Sequence, residues 1–176
     1  MKSVVMCSIA AMVFPLLVCA QANLKPLVNK SDRMFLRNAA EINLSEIYLG
    51  ELAQQNASAT PVKAFADRMV TDHSNAQHKL TVLAARENVI LPDQVDAKDM
   101  ALYARLAKLS GPDFDRDYIN AMAEGHTQAV STFKNEAKSA ASSDVRTFAS
   151  ETLPMLEEHL RLAHQDAVQI GAVSRR

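Results

Sequence analysis

The chain has 176 residues, a formal net charge of −1 at pH 7, no tryptophan and only four glycines. A nearly balanced charge argues against a nucleic-acid-binding surface. The low aromatic and glycine content argues against sheets and aromatic-lined grooves and favours closely packed helices.

The first twenty residues are typical of a signal peptide. Lys2 gives a positive start, an apolar run follows from Val4 to Val18, and Ala20 is a small residue at the expected cleavage point. The run is too short for a membrane-spanning helix. A competing interpretation makes Cys19 a lipidated first residue, but Val18 argues against it because lipoprotein signals have a small residue there.

The signal predicts an exported, periplasmic protein without integral membrane insertion, and a lipid anchor on Cys19 is the alternative. Cys7 and Cys19 both lie in the signal. Because the mature chain would then have no cysteine, its core alone must hold it together. Residues 21–30 are predicted to be a flexible lead-in, and residues 172–176 a solvated tail.

Residues 31–171 are predicted to form one domain of four long amphipathic helices. Their N-terminal signals are a Ser31-Asp32 cap, a Thr60 cap before Pro61, the Gly111-Pro112-Asp113 run and the Ser142-Ser143-Asp144 run. The four helices are predicted to end near Asn56, Glu87, Ser139 and Ile170. A shorter helix is expected over 97–109, inside the long connection from 88 to 112.

The lengths of the three links predict the topology. Two links are tight and one is long, which is the pattern of a bundle with a single crossover. The fold class is therefore all-α, a ferritin-like four-helix bundle whose long crossover carries a short extra helix. The long link is compatible with the second and third long helices running parallel.

One metal-ligand side chain is predicted on the inward face of each long helix. At ~100° per residue, these four fall within the apolar arcs and at similar heights: Glu46, His73, His126 and His159. Buried imidazoles and a carboxylate must bind an ion or each other. The metal hypothesis is a single transition-metal ion (iron, zinc, copper or manganese), with Asp72 and Tyr118 as supporting groups around the ligands.

The alternative hypothesis is a closed polar network without a cofactor, in a non-enzymatic structural or interaction module of the cell envelope. Neighbouring polar residues point elsewhere: Glu51, His78, Glu124 and Glu158 face away, His164 lies at an edge, and Met69 and Met122 are assigned to packing. No inward Glu-x-x-His motif supports a di-iron centre, and no nucleophile elbow or phosphate loop is present. The sequence thus assigns no reaction, no protein partner and no oligomeric state.

Several segments resemble the bacterial domain-of-unknown-function family 4142. They are the run from Glu46 to Ala53, the run from Val62 to His73 with its Met-Val-Thr-Asp-His ending, Phe114 to Tyr118, His126, and Leu153-Pro154 with His159. Members of this family are exported, are often labelled outer-membrane proteins and are assigned to the ferritin-like fold. The resemblance therefore implies export and this fold, and it implies no established activity. Its glutamate and histidines correspond to Glu46, His73, His126 and His159.

Overall fold

Five helices make up the part of the chain that the computed structural model describes, residues 28–172. They are α1 (Lys30–Asn56), α2 (Thr60–Arg86), α3 (Ala97–Leu106), α4 (Gly111–Ser139) and α5 (Ser143–Gln169). The predicted signal peptide and most of the predicted lead-in and tail lie outside the described residues. Within the lead-in, Val28 is buried in the core and Asn29 caps α1.

Most of the predicted helix ends lie within a few residues of the observed ones, but some predicted caps were wrong. The side chain of Asn29, not Ser31 or Asp32, accepts from the backbone at the start of α1. Helix α2 begins one residue before Pro61, with Ala59 at the cap and no side-chain cap bond. At the other end, Gly171 follows α5 with φ +73°, a conformation that glycine adopts at little cost.

The four long helices form two antiparallel hairpins, α1 with α2 and α4 with α5. Across the hairpins, α1 packs against α4 and α2 packs against α5. The C-terminal half of α1 shares one apolar cluster with the N-terminal halves of α2 and α4 and the C-terminal end of α5. Helices α2 and α4 therefore run in the same direction, and the crossover carrying α3 returns along the bundle over α1 and α4. This is the ferritin-like topology predicted from the link lengths.

The core consists of two apolar clusters, one in each half of the bundle. One is centred on Phe65, Phe114 and Tyr118, and the other on Phe35, Phe133 and Phe148. Along the chain, the ligand-type residues fall between the members of the two clusters. The layer between the clusters, called the waist below, is therefore where buried polar side chains collect.

Each hairpin caps the tight link of the other through one buried aspartate. Asp32 of α1 accepts hydrogen bonds from the backbone N–H groups of Ala141 and Ser142, at 3.1 and 2.8 Å. Asp115 of α4 accepts from the backbone N–H groups of Ser58 and Ala59, both at 2.9 Å, and from the Ser58 hydroxyl. These bonds satisfy backbone donors at the starts of α5 and α2 and fix the two hairpins to each other.

Replacing Asp115 with alanine is expected to lower the free energy of unfolding by about 2 kcal/mol, because a buried charged acceptor of three hydrogen bonds is removed. Denaturant titration at constant m value measures this change. Asp113→Ala, two residues earlier on α4, is the control, because the Asp113 side chain is 70% exposed, and it should cost under about 0.5 kcal/mol. Equal losses in the two variants would contradict the capping role.

No helix among residues 28–172 is long and apolar enough to cross a membrane. The long helices instead bury one face against the core and leave the other polar.

Candidate metal centre

Three buried histidines from three helices meet at the waist. His73 lies on α2, His126 on α4 and His159 on α5, and none is more than 1% exposed. The ring centroids of His73 and His126 are 5.7 Å apart, and each lies 5.3 Å from the centroid of His159. One nitrogen from each ring lies within 4.8 Å of the other two. The three rings thus form a compact triangle, called the histidine triad below.

The outer nitrogen of each ring has a hydrogen-bond acceptor. Nδ1 of His73 lies 3.0 Å from Oδ1 of Asn43, and Nδ1 of His126 lies 2.9 Å from the Met122 carbonyl oxygen. Nε2 of His159 lies 2.9 Å from Oδ2 of Asp72. The Asn43 amide is oriented in turn, because its Nδ2 donates to Gln77 at 3.1 Å. Since carbonyl and carboxylate oxygens accept, the outer nitrogens carry the protons.

The inner nitrogens therefore carry lone pairs, and these converge. Nε2 of His73, Nε2 of His126 and Nδ1 of His159 are all buried and have no hydrogen-bond partner among the described residues. In a neutral imidazole, a proton on one nitrogen leaves the other as an acceptor or a metal ligand. Three such acceptors face one another without a donor between them.

Burial keeps the triad in its neutral form. Desolvation is the main cause that lowers the pKa of His126 to about 4 and holds that of His73 well below 6.5, with the neighbouring rings adding to both effects. Burial also lowers the pKa of His159, although its hydrogen bond to Asp72 opposes the shift. All three rings are thus neutral imidazoles at neutral pH, each with one ring nitrogen free of a proton, as metal coordination requires.

Glu46 of α1 lies beside the triad rather than inside it. Its Oε1 is 3.8 Å from Nδ1 of His126, the protonated outer nitrogen, and its Oε2 is buried without a partner among the described residues. Burial, with a smaller contribution from Asp99, raises the pKa of Glu46 to about 8. Because His126 is neutral and Glu46 protonated at pH 7, this contact is not an ion pair in the absence of a cation.

The two predicted supporting residues differ in their contacts. Asp72 is half-buried and holds the His159 ring through the 2.9 Å hydrogen bond. Tyr118 is fully buried, stacks on Phe114 with centroids 5.6 Å apart, and has a hydroxyl without a partner among the described residues. Burial, and then Glu46, raises the pKa of Tyr118 well above 10. Asp72 orients a ring of the triad, whereas Tyr118 belongs to the adjoining apolar cluster.

The closed polar network of the alternative hypothesis requires direct hydrogen bonds among these groups. Within residues 28–172, the inner nitrogens, Oε2 of Glu46 and the Tyr118 hydroxyl have no such partners. Satisfying the three lone pairs would therefore require a species that is not one of these side chains.

Asn43 was missed from the sequence. It is 2% exposed and lies three residues before Glu46, so its inward position was available from the helical period. An asparagine inside an apolar arc was a usable signal, but its partner, His73, lies on another helix. The side chains expected to point away do so: His78, Glu51 and Glu124 are exposed, and Glu158 is partly exposed. His164, expected at an edge of the apolar arc, is exposed.

Comparisons with known proteins place the fold. Similar solved structures include a DUF305 fragment from Deinococcus radiodurans, with a TM-score of 0.72 and 13% sequence identity over 84% of this chain and 100% of that one. A DUF305 protein from Streptomyces coelicolor, described as a candidate secreted protein, is also similar, with a TM-score of 0.70 and 15% identity over 83% of this chain and 97% of that one. At such low identities the likeness shows the shared fold alone.

Among the curated proteins, none matches the chain. The model of the family described as "Domain of unknown function (DUF4142)" matches residues 18–165, which include all four predicted ligand residues. Because this match covers most of the chain, the protein belongs to the DUF4142 family.

Proposed function

We propose that the protein binds one transition-metal ion between Nε2 of His73, Nε2 of His126 and Nδ1 of His159. The observation that carries this proposal is the convergence of three buried lone pairs without a donor among the described residues. Each unsatisfied buried acceptor costs roughly 1–3 kcal/mol, so three together are expensive unless an ion takes them up. Bonds of about 2.1 Å would require the nitrogens to move inward by under about 1 Å each.

The outer contacts support a ligand role over a packing role. Metal-binding histidines generally donate their second ring N–H to a carboxylate, an amide or a backbone carbonyl, which fixes the ring and its protonation. All three rings have such an acceptor in Asn43, Asp72 and the Met122 carbonyl. A histidine that served only to fill the core would need no such orientation toward a common point.

The donor set favours zinc or copper. Three neutral imidazoles suit Cu²⁺ and Zn²⁺, whereas Mn²⁺ prefers oxygen ligands, and divalent affinities rise toward copper. Three protein ligands also leave a fourth position open, as in catalytic rather than structural zinc sites. Glu46, the fourth predicted ligand, enters this proposal as the carboxylate beside His126 that offsets the charge of the ion.

The proposal includes a location, outside the cytoplasm. The signal-like residues 1–20, together with a structural neighbour described as a candidate secreted protein, support a site of action outside the cytoplasm. We propose that the protein holds a transition-metal ion there, and we assign it no reaction.

The test is a zinc and a copper titration of the mature chain after chelator treatment, followed by equilibrium dialysis and elemental analysis. One ion per chain is expected, with copper bound more tightly than zinc and manganese bound weakly. The control is His78→Ala combined with His164→Ala, which removes the two exposed histidines and should still bind one ion. Binding below one equivalent in the wild type, or binding lost in the control, would overturn the proposal.

A further inference from the structure

A cleft of about 570 Å³ opens on the face of the bundle between α1 and α4. The crossover helix α3 forms its rim. The cleft is lined by six acidic side chains, one of them the protonated Glu46, and by only two basic side chains, Lys98 and Arg105. One of these bases, Arg105, is already paired with Asp117 at 2.8 Å. The cleft is therefore strongly acidic in a chain whose overall charge is nearly balanced.

The inner end of this acidic cleft is Glu46. Its side chain is 9% exposed, its Oε2 has no partner among the described residues, and its Oε1 is 3.8 Å from the His126 ring. The unpartnered carboxyl group lies between the cleft and the triad. The acidic walls alone would be an ordinary solvated surface; this buried, unpartnered group at their inner end connects them to the histidines.

The outer carboxylates remain available to a ligand. Glu41, Asp99 and Glu124 line the cleft from α1, α3 and α4, and none has an ion pair with another described residue. Carboxylates on three different elements around a low-dielectric wall concentrate a negative potential and attract cations. On the α4 wall, Gly125 lies directly against Glu46, because a Cβ placed on Gly125 would make van der Waals contact with Oε1 of Glu46 at 3.5 Å.

We propose that the acidic cleft is the entrance through which a hydrated divalent cation reaches the histidine triad. This inference rests on the proposed function. Asp99, Glu124 and Glu41 draw in the hydrated ion, and Glu46 replaces part of its water shell before the histidines take it. The cleft selects cations and repels anionic chelates of the same metal.

The test measures the rate at which the chelator-stripped mature chain takes up Zn²⁺, by stopped flow with a fluorescent zinc indicator at low salt. Asp99→Asn combined with Glu124→Gln should slow association about tenfold and weaken its dependence on ionic strength. The control is Glu151→Gln combined with Glu157→Gln, which makes the same charge change at exposed positions on α5 and should change the rate less than twofold.

Gly125→Val tests the route by obstruction. Its methyl groups would fill the space beside Glu46, so association and dissociation should slow by the same factor, about tenfold or more. If the wild type binds one ion but the cleft variants match the control in rate, the entrance lies elsewhere and only this inference falls. If the wild type binds no zinc at equilibrium, the proposed function falls and the inference falls with it.

Discussion

Replacing His126 with leucine is expected to weaken ion binding by at least ~100-fold while leaving the metal-free bundle as stable as the wild type or more stable. Loss of one of three ligands removes a third of the coordination, and metal sites contribute ~10 kcal/mol or more in total. Leucine has nearly the volume of histidine, and it removes one of the three unsatisfied lone pairs. The outer partner of His126 is the Met122 carbonyl within α4, so no side chain loses its partner.

Two measurements decide this prediction: isothermal titration with zinc, and denaturant unfolding in the presence of a chelator. Zinc at a thousand times the wild-type Kd should add about 4 kcal/mol to the free energy of unfolding of the wild type, and at the same concentration about 1.4 kcal/mol or less to that of the leucine variant. Ala129→Leu, one turn further along the same face of α4, is a poor control because it overpacks the core. His78→Leu is better, since it makes the same change at an exposed position. A leucine variant that unfolded far more easily without metal would instead identify His126 as a packing residue.

A site of this kind is stabilised by its ligand rather than by its own side chains. The apolar clusters on either side of the waist stabilise the fold. The three buried acceptors without donors at the waist destabilise it in the absence of an ion. The rings can neither turn to find donors nor take up protons cheaply, because their outer nitrogens are hydrogen-bonded and the rings are buried. The same features that make the metal-free waist costly prepare it for an ion.

The helical period was sufficient to predict the helices and the inward position of His73, His126 and His159. These properties depend on one residue's angle around one helix, which the local sequence sets. The contacts of the residues could not be predicted in this way. Asp32 and Asp115 cap links 109 and 57 residues away, and no local pattern reports such distant partners.

Glu46 shows the same limit within the site itself. The period correctly predicted that it is buried. Whether its carboxyl group points to the inner or the outer side of His126 depends on how α1 packs against α4 and on the position of α3. Neither the crossing of the helices nor the path of the crossover is encoded in a helical wheel. Of the four predicted ligand residues, the three histidines converge, and Glu46 lies beside them.

The affinity for zinc is expected to rise with pH by up to about tenfold per unit from pH 5 to pH 8, and to level off above pH 8. In the metal-free protein, burial raises the pKa of Glu46 to about 8, so its carboxyl group is protonated over this range. A bound dication favours the carboxylate, and binding therefore releases a proton until the pH exceeds that pKa. His126, with its pKa lowered to about 4, is already neutral and adds no slope.

Glu46→Gln should bind zinc as tightly as the wild type near pH 5 and should lack the rise between pH 7 and pH 8, since glutamine mimics the protonated acid and cannot ionise. Without metal, the variant should also differ from the wild type in its free energy of unfolding. This difference should favour the variant at high pH, where zinc binding favours the wild type. A raised pKa in the folded state stabilises the wild type fully below pH 4.5, and this contribution is lost as the pH rises toward 8, so the glutamine variant should be the more stable one at pH 8.

Titration of both proteins at five pH values, with a chelator-buffered zinc concentration, measures the slopes. A wild-type profile that rose only between pH 5.5 and 7 and then levelled off would assign the released proton to an ordinary imidazole. Glu46 would then have no part in holding the ion. If zinc binding ionised Glu46, the zinc affinity would keep rising until the pH exceeded the pKa of Glu46 in the metal-free protein.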